Sequence, residues 1–326
     1  MLHFKQNLFK KLFDLFYFSD PDQLQQFSIQ KQSIVLMHLN RGGKNLEALQ
    51  YSFVTGNWKQ LEYQFGPRMK YCLGEINGNI FLVGGHNHQS GQISAVDVIY
   101  ENGNTAELYS LSRRRENFGM CEFGDRYLLI CGGCTYDGEF QTKSCDIYDT
   151  FTNKWEKTSN LLTKRSFFSL VYFNGSILAL GGSSGQYEIL DTIESFNIKT
   201  KKWSLWPTRL LQKRSSHVAV GYDDRFYVFG GRINHKITGS IEMYSQQTDQ
   251  FTYVTPMPFR MHSFGYCKRN ECIYLMGGTN EDLEVDLSKT TKLTTTTLVY
   301  NTEFDSWNTW VDLPYKINSS PKACCI

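Results

Sequence analysis

From Ser33 to the last residue, short apolar runs come in pairs, separated by turn residues rather than by long polar stretches. The stretch Arg165–Trp203 shows the pattern most plainly: an arginine, the run Phe167–Phe173, Asn174-Gly175, the run Ile177–Leu180, Gly181-Gly182, a third strand-like segment and a tryptophan. Asn-Gly between two β-rich runs predicts a tight hairpin, because a two-residue type I′ turn needs positive φ at both positions. Residues 1–18 follow a different period. Phe4, Leu8, Phe9, Leu12, Phe13 and Phe16 recur at helical spacing, with Lys5, Lys10, Lys11 and Asp14 largely opposite them. This predicts a short amphipathic helix that ends near Ser19-Asp20-Pro21, where proline restricts the residue before it. The glutamine-rich Gln23–Gln32 reads as a linker.

The strand unit recurs. Double glycines stand at 84–85, 132–133, 181–182, 230–231 and 277–278, in steps of 47 to 49 residues. Two aromatic residues with six residues between them close the unit at Tyr51/Trp58, Tyr148/Trp155, Phe196/Trp203, Tyr244/Phe251 and Tyr300/Trp307. Arg68, Arg115, Arg165, Arg214 and Arg260 each precede the next Gly-Gly by 16 or 17 residues. Markers in phase at this period mean a repeat architecture. Together they resemble the kelch repeat, and the resemblance runs over residues 33–326. It implies an all-β, six-bladed kelch-type β-propeller, with one four-stranded blade per repeat.

On that reading residues 1–32 are the N-terminal helix and linker, and 33–326 the propeller. Blade 1 is degenerate, with His38-Leu39 in the place of Gly-Gly, and blade 2 carries Tyr100 with Ala106 where tryptophan is expected. In blade 6 the interval from Gly278 to Tyr300 is longer than in the four preceding units, and the excess Glu281–Thr297 is expected to be a loop. The tail Ser319–Ile326, apolar at Ala323, Cys324, Cys325 and Ile326, is expected to supply the missing strand of blade 1 and so remove a sheet edge, with Phe27–Ile29 as the other candidate.

Composition narrows the partners. A net charge of +2 with mixed signs argues against nucleic acid. No apolar run is long enough to span a bilayer, and nothing resembles a secretory h-region. Nine cysteines, an odd number, read as reduced thiols in a cytoplasmic protein. The N-terminal helix is expected to pack on the propeller or dock on a second protein, with a membrane-surface or targeting role as the remaining alternative.

In an antiparallel hairpin the start of the first strand and the end of the second share one edge. The segments after each arginine and after each Gly-Gly therefore meet on one face of the disc. In kelch proteins this is the usual ligand surface, and some members grip acidic peptides there with arginines. The candidate partner-binding residues are Arg68, Arg115, Arg165, Arg214, Arg232, Arg260, His86, His217, Tyr136 and Asn280. A guanidinium fork suits carboxylate or phosphate. The same arginines, as part of the repeat pattern, also suit the role of braces between loops. Enzymatic readings find little: the Glu-x3-Asp-x3-His set of iron-dependent relatives is missing, His86-x-His88 is a weak metal pair, and Cys131-Gly-Gly-Cys134 lies across the repeat's own glycines. Cys267 and Cys272 flank a turn and are placed to face each other. The sequence thus reads as a non-enzymatic interaction module without cofactor or metal, binding an acidic or phosphorylated segment. A receptor in a ubiquitin-ligase assembly and an enzyme acting on a sugar-type substrate are the competing readings.

Overall fold

The computed structural model describes residues 33–40, 44–87, 89–135, 140–185, 188–234, 236–280, 295–317 and 321–326. The expected N-terminal helix, the alternative strand Phe27–Ile29 and most of the blade 6 loop lie outside them. The described chain is all β, six four-stranded antiparallel sheets arranged as the blades of a propeller. In blade 4 the strands are Ser169–Phe173, Ser176–Leu180, Ile193–Asn197 and Lys202–Leu205, paired in sequence order. The turn between the first two has Asn174 and Gly175 at φ 44° and 75°, the left-handed pair that a type I′ hairpin demands. First strands of adjacent blades neighbour one another around the axis.

Each second strand is apolar on both faces because blades stack on both sides of it. Ile177 and Ala179 pack towards blade 3, while Leu178 and Leu180 pack towards blade 5. Six hydrophobic clusters fill the six seams between blades, so no blade owns a core of its own. The aromatic pairs read from the sequence sit directly opposite each other on the third and fourth strands: Tyr148 on Trp155, Phe196 on Trp203, Tyr300 on Trp307. Blade 2 corrects one expectation. Tyr100 lies exposed, one residue beyond the slot, and Ile99 fills it opposite Thr105.

Blade 1 is closed by both ends of the described chain. Lys322–Cys325 runs antiparallel to Ser33–Leu39, with Ile34 opposite Cys325 and Met37 opposite Lys322. Ser33 and Ile326 exchange two backbone hydrogen bonds of 3.0 and 2.9 Å. Without a Gly-Gly to turn the chain, the strand of blade 1 continues straight through His38 to Leu39. The cysteine expectation at 267 and 272 does not hold: Cys267 faces Tyr274, and Cys272 faces Arg269.

Candidate functional site

The segments following each arginine and each Gly-Gly do share one face. Short bridges join them in blade after blade: Met69 to His86, Glu116 to Cys134, Ser166 to Ser183, Ser215 to Arg232, and Met261 to Asn280.

The repeat arginines are not on the surface of that face. Arg68, Arg115, Arg165 and Arg214 are buried, each against a carboxylate from the third strand of its own blade: Asp97, Asp146, Glu194 and Glu242. In blade 4, Arg165 donates through Nε and Nη2 to Glu194 Oε1 at 3.2 and 2.9 Å, and through Nη1 to the Gly181 and Thr192 carbonyls, both at 2.8 Å. Glu194 also accepts the backbone N–H groups of Leu162 and Thr163 at 2.7 and 3.0 Å, which pins the loop entering the blade. Glu242 does the same for Leu211 and Gln212 in blade 5. In three blades the backbone carbonyl of the arginine then accepts from the second glycine of the preceding blade: Gly85 to Arg115, Gly133 to Arg165 and Gly182 to Arg214. A Cβ on Gly132 would stand 2.5 Å from the Arg165 carbonyl, so only glycine permits this approach. Burial holds the Arg165 guanidinium below its usual range, and the Glu194 carboxylate offsets only part of that. These four arginines brace the blades from inside and are shut away from any partner, which corrects their assignment as ligand residues.

Arg260 is out of register. The buried slot in blade 6 is taken by Met261, 1% exposed, and the carboxylate position by Leu298, also 1% exposed, both in the apolar seam between blades 5 and 6. Arg260 itself is exposed, immediately before the slot. In that same position stand Arg114, Lys164 and Lys213, with Arg113 beside the first. All lie at the surface or half-buried, at equivalent places on four of the six blades. In blades 3 to 6 the residue before the buried slot is therefore basic, while blade 2 has Pro67 in that place. The signal was in the sequence as Arg114-Arg115, Lys164-Arg165 and Lys213-Arg214.

The other candidates divide. Arg232 is half-buried, with Nη2 3.3 Å from His262 Nε2. His86 is half-buried 3.8 Å from Glu116, which also accepts from Lys70 Nζ at 3.0 Å. His217 is buried, and burial together with the Arg214 charge lowers its imidazole to about 3, so it is neutral. Tyr136 and the side chain of Asn280 lie outside the described residues.

At the axis, Lys70, Asn117, Phe167, Ser216 and Ser263 all adopt left-handed φ between 53° and 57°. The N–H of Asn117 donates to Lys70, that of Phe167 to Asn117, and that of Ser216 to Phe167, forming an arc of backbone hydrogen bonds around the channel mouth. Inside it lies a well of about 230 Å3 to which all six blades contribute. The cysteines form no disulfide bonds. Burial pushes the Cys131 and Cys134 thiols up, away from reactive thiolate. Among the described residues no three His, Cys, Asp or Glu side chains converge as metal ligands, and no helix is long and apolar enough to cross a membrane.

The family model of the KLHDC2/KLHL20/DRC7 Kelch-repeats domain matches residues 38–231 and 118–323. Kelch-like protein 26 of Danio rerio is 24% identical over 253 residues, which cover 74% of this chain and 40% of that protein. Kelch-like protein 15 of Homo sapiens is 25% identical over 248 residues, covering 68% and 40%. Alpha-scruin of Limulus polyphemus is 26% identical over 155 residues, covering 45% and 17%. The matches thus span two fifths or less of these relatives. With repeat spacing, blade topology and family model in agreement, the chain belongs to the kelch-repeat family.

Proposed function

We propose that this propeller is a non-enzymatic protein-interaction module whose loop face takes an acidic or phosphorylated segment of a partner protein in the cytoplasm. The observation that carries the reading is the basic set Arg114, Lys164, Lys213 and Arg260, placed equivalently on four blades. In blades 4 and 5 the buried Arg–Glu braces hold the loops that present it. Arg232 and Arg113 add to the same face. Exposed ion pairs contribute only about 0.2–1 kcal/mol each, so affinity has to come from several acting together on a preformed surface. On this reading residues 1–32 serve as a second docking element. The assembly served, ubiquitin ligation included, would be named by the proteins that the module captures.

The test is a peptide array of acidic, phosphorylated, neutral and basic segments, probed with wild type and with R114E/K213E at two salt concentrations. Acidic hits should weaken with salt and lose more than about tenfold in affinity in the double variant. Hits that are mainly neutral or basic, or acidic hits indifferent to both changes, would rule the reading out.

A further inference from the structure

Blade 3 carries a pair of cysteines where other blades carry larger, mostly apolar pairs. Cys131 ends the second strand of the blade, just before Gly132, and Cys145 begins the third strand directly opposite it. The same two positions hold Val83 and Val96 in blade 2, Leu180 and Ile193 in blade 4, Phe229 and Ile241 in blade 5, and Met276 and Thr297 in blade 6. Packing therefore does not call for sulfur here. Both side chains point into the seam towards blade 4, at 0% and 2% exposure.

The strand ladder fixes the geometry of the pair. The Gly132 N–H donates to the Ser144 carbonyl at 3.0 Å, so these neighbours form a hydrogen-bonded pair. The two kinds of pair alternate along an antiparallel ladder, which makes Cys131 and Cys145 a non-hydrogen-bonded one. There the Cα atoms stand about 4.5 Å apart, with the side chains close together on one face. That separation falls within the ~4.4–6.8 Å that a disulfide spans, so the bond asks for side-chain rotation and little backbone movement. The Cys145 thiol already acts directly on that of Cys131. Cys121 lines the same seam but lies opposite Leu129, a diagonal step of about 7–8 Å from Cys131.

The pair stands at the base of the connection 132–144 on the loop face. Arg115 grips both sides of that base, donating to the carbonyls of Gly132 at 3.3 Å and Ser144 at 3.2 Å. Further out, Gln141 Nε2 reaches blade 4 and donates to Ser166 Oγ at 2.5 Å and the Ser183 carbonyl at 3.2 Å. We infer that Cys131 and Cys145 are a reversible oxidation site, which hydrogen peroxide converts into a cross-strand disulfide that fastens the base of this connection. One sulfur attacks the peroxide, and the displaced hydroxide takes up that thiol's proton, leaving a sulfenic acid and water. The second sulfur then attacks the first. The Sγ–Sγ bond forms, hydroxide leaves, and the second thiol's proton turns it into water. Two thiols thus lose two electrons and two protons, and one peroxide becomes two waters. Burial raises the Cys131 thiol while the Arg115 guanidinium acts the other way, so the reaction should be slow and pass through transient opening of the seam.

The reduced full chain is treated with graded hydrogen peroxide, capped with N-ethylmaleimide and read by intact mass and non-reducing peptide mapping. Wild type should lose two hydrogens, with Cys131 linked to Cys145 and the link reversed by dithiothreitol. C145V, which borrows the valine of blade 2, should form no crosslink, and C121S should form the wild-type one. Oxidised wild type should melt several degrees above the reduced protein, because the closed loop restricts the unfolded chain. C145V should melt alike with and without peroxide. The inference falls if both thiols stay reduced in the folded chain at millimolar peroxide, or if the crosslink joins either of them to another cysteine. It falls equally if Cys131 goes on to sulfinic acid without a link, or if the link appears only after unfolding in urea. An oxidised protein that melts below the reduced one would show that the bond breaks the blade rather than fastening it, and overturns the proposal too. None of these outcomes touches the peptide array that judges the loop face.

Discussion

His217 holds the place that Tyr71, Phe118, Phe168 and Phe264 hold in other blades, each packed beneath the second glycine of its own repeat. Its ring also lies under Gly181 of the preceding blade, where an added Cβ would stand 3.1 Å from Cε1. Burial is the largest influence on it, then the positive charge of Arg214, with Arg165 adding to the same effect; the Leu180 carbonyl offsets only part. An imidazole at about 3 when folded and about 6.5 when unfolded releases its proton on folding. Its neutral form is therefore compatible with full stability above pH ~6.5, and stability drains away as pH falls from there towards the folded value. Replacing it with the residue the repeat uses elsewhere removes the titration and keeps the ring. H217F should match or exceed wild type near neutral pH, since it also removes a buried polar ring that only the Leu180 carbonyl approaches. Between about pH 6.5 and 4 its denaturation midpoint should fall less than that of wild type. Parallel slopes for the two proteins would show that the imidazole is hydrated in the native state.

Within a blade, the brace is the device that the sequence displayed and also concealed. The arginines were legible as repeat markers, but a marker 16 or 17 residues ahead of Gly-Gly looks alike whether buried or exposed. In blade 3 the extra residue is a turn residue: Gly124 and Asp125 both take left-handed φ between paired Phe123 and Tyr127. In blade 6 it is a register error, because the slot belongs to Met261. The carboxylates recur in phase as well, two residues ahead of Ile99, Tyr148, Phe196 and Tyr244. That acid was the available clue to burial, because a third-strand carboxylate on the same edge can neutralise the arginine. Blade 6 shows the apolar solution, Met261 with Leu298, and it carries Pro258 where Leu211 donates its N–H to Glu242. Blade 6 thus supplies the pattern for a swap in blade 5. R214M alone leaves Glu242 fully buried without its cation and should cost about 3–5 kcal/mol in urea denaturation. R214M/E242L should recover most of that loss, and adding L211P should recover more by removing the orphaned donor. A double variant as unstable as the single would mean that the pair is needed for itself rather than as one of two ways to fill the slot.

At the scale of the whole molecule, the periodicity made the architecture legible because each seam between blades repeats the same chemistry. Closure is the one feature that no single repeat encodes, and it was legible only as a deficit: blade 1 began one strand short, and the tail supplied apolar residues of the right kind. The site was less legible, since the direction of each side chain depends on which neighbouring blade it meets. The closing strand now has specific work. Cys324 packs in the seam between blades 1 and 2 and Cys325 in the seam between blades 6 and 1, while the backbone of Lys322–Cys325 pairs with Ile34–Met37. Removing residues 321–326 therefore opens a sheet edge on Ser33–Leu39, empties part of two seams and takes Lys322 from the axial well. Unpaired edges on a buried strand invite intermolecular pairing. The truncated protein should aggregate or melt at least about 10 °C lower, because losses at two seams together exceed what one substitution costs. Light scattering and a thermal melt read both outcomes. A synthetic peptide carrying residues 321–326 should bind the truncated chain and raise its melting temperature, as strand addition to a free edge does. A truncated chain that stays monomeric with unchanged melting would show that the ring is held by the seams alone and that the tail is dispensable.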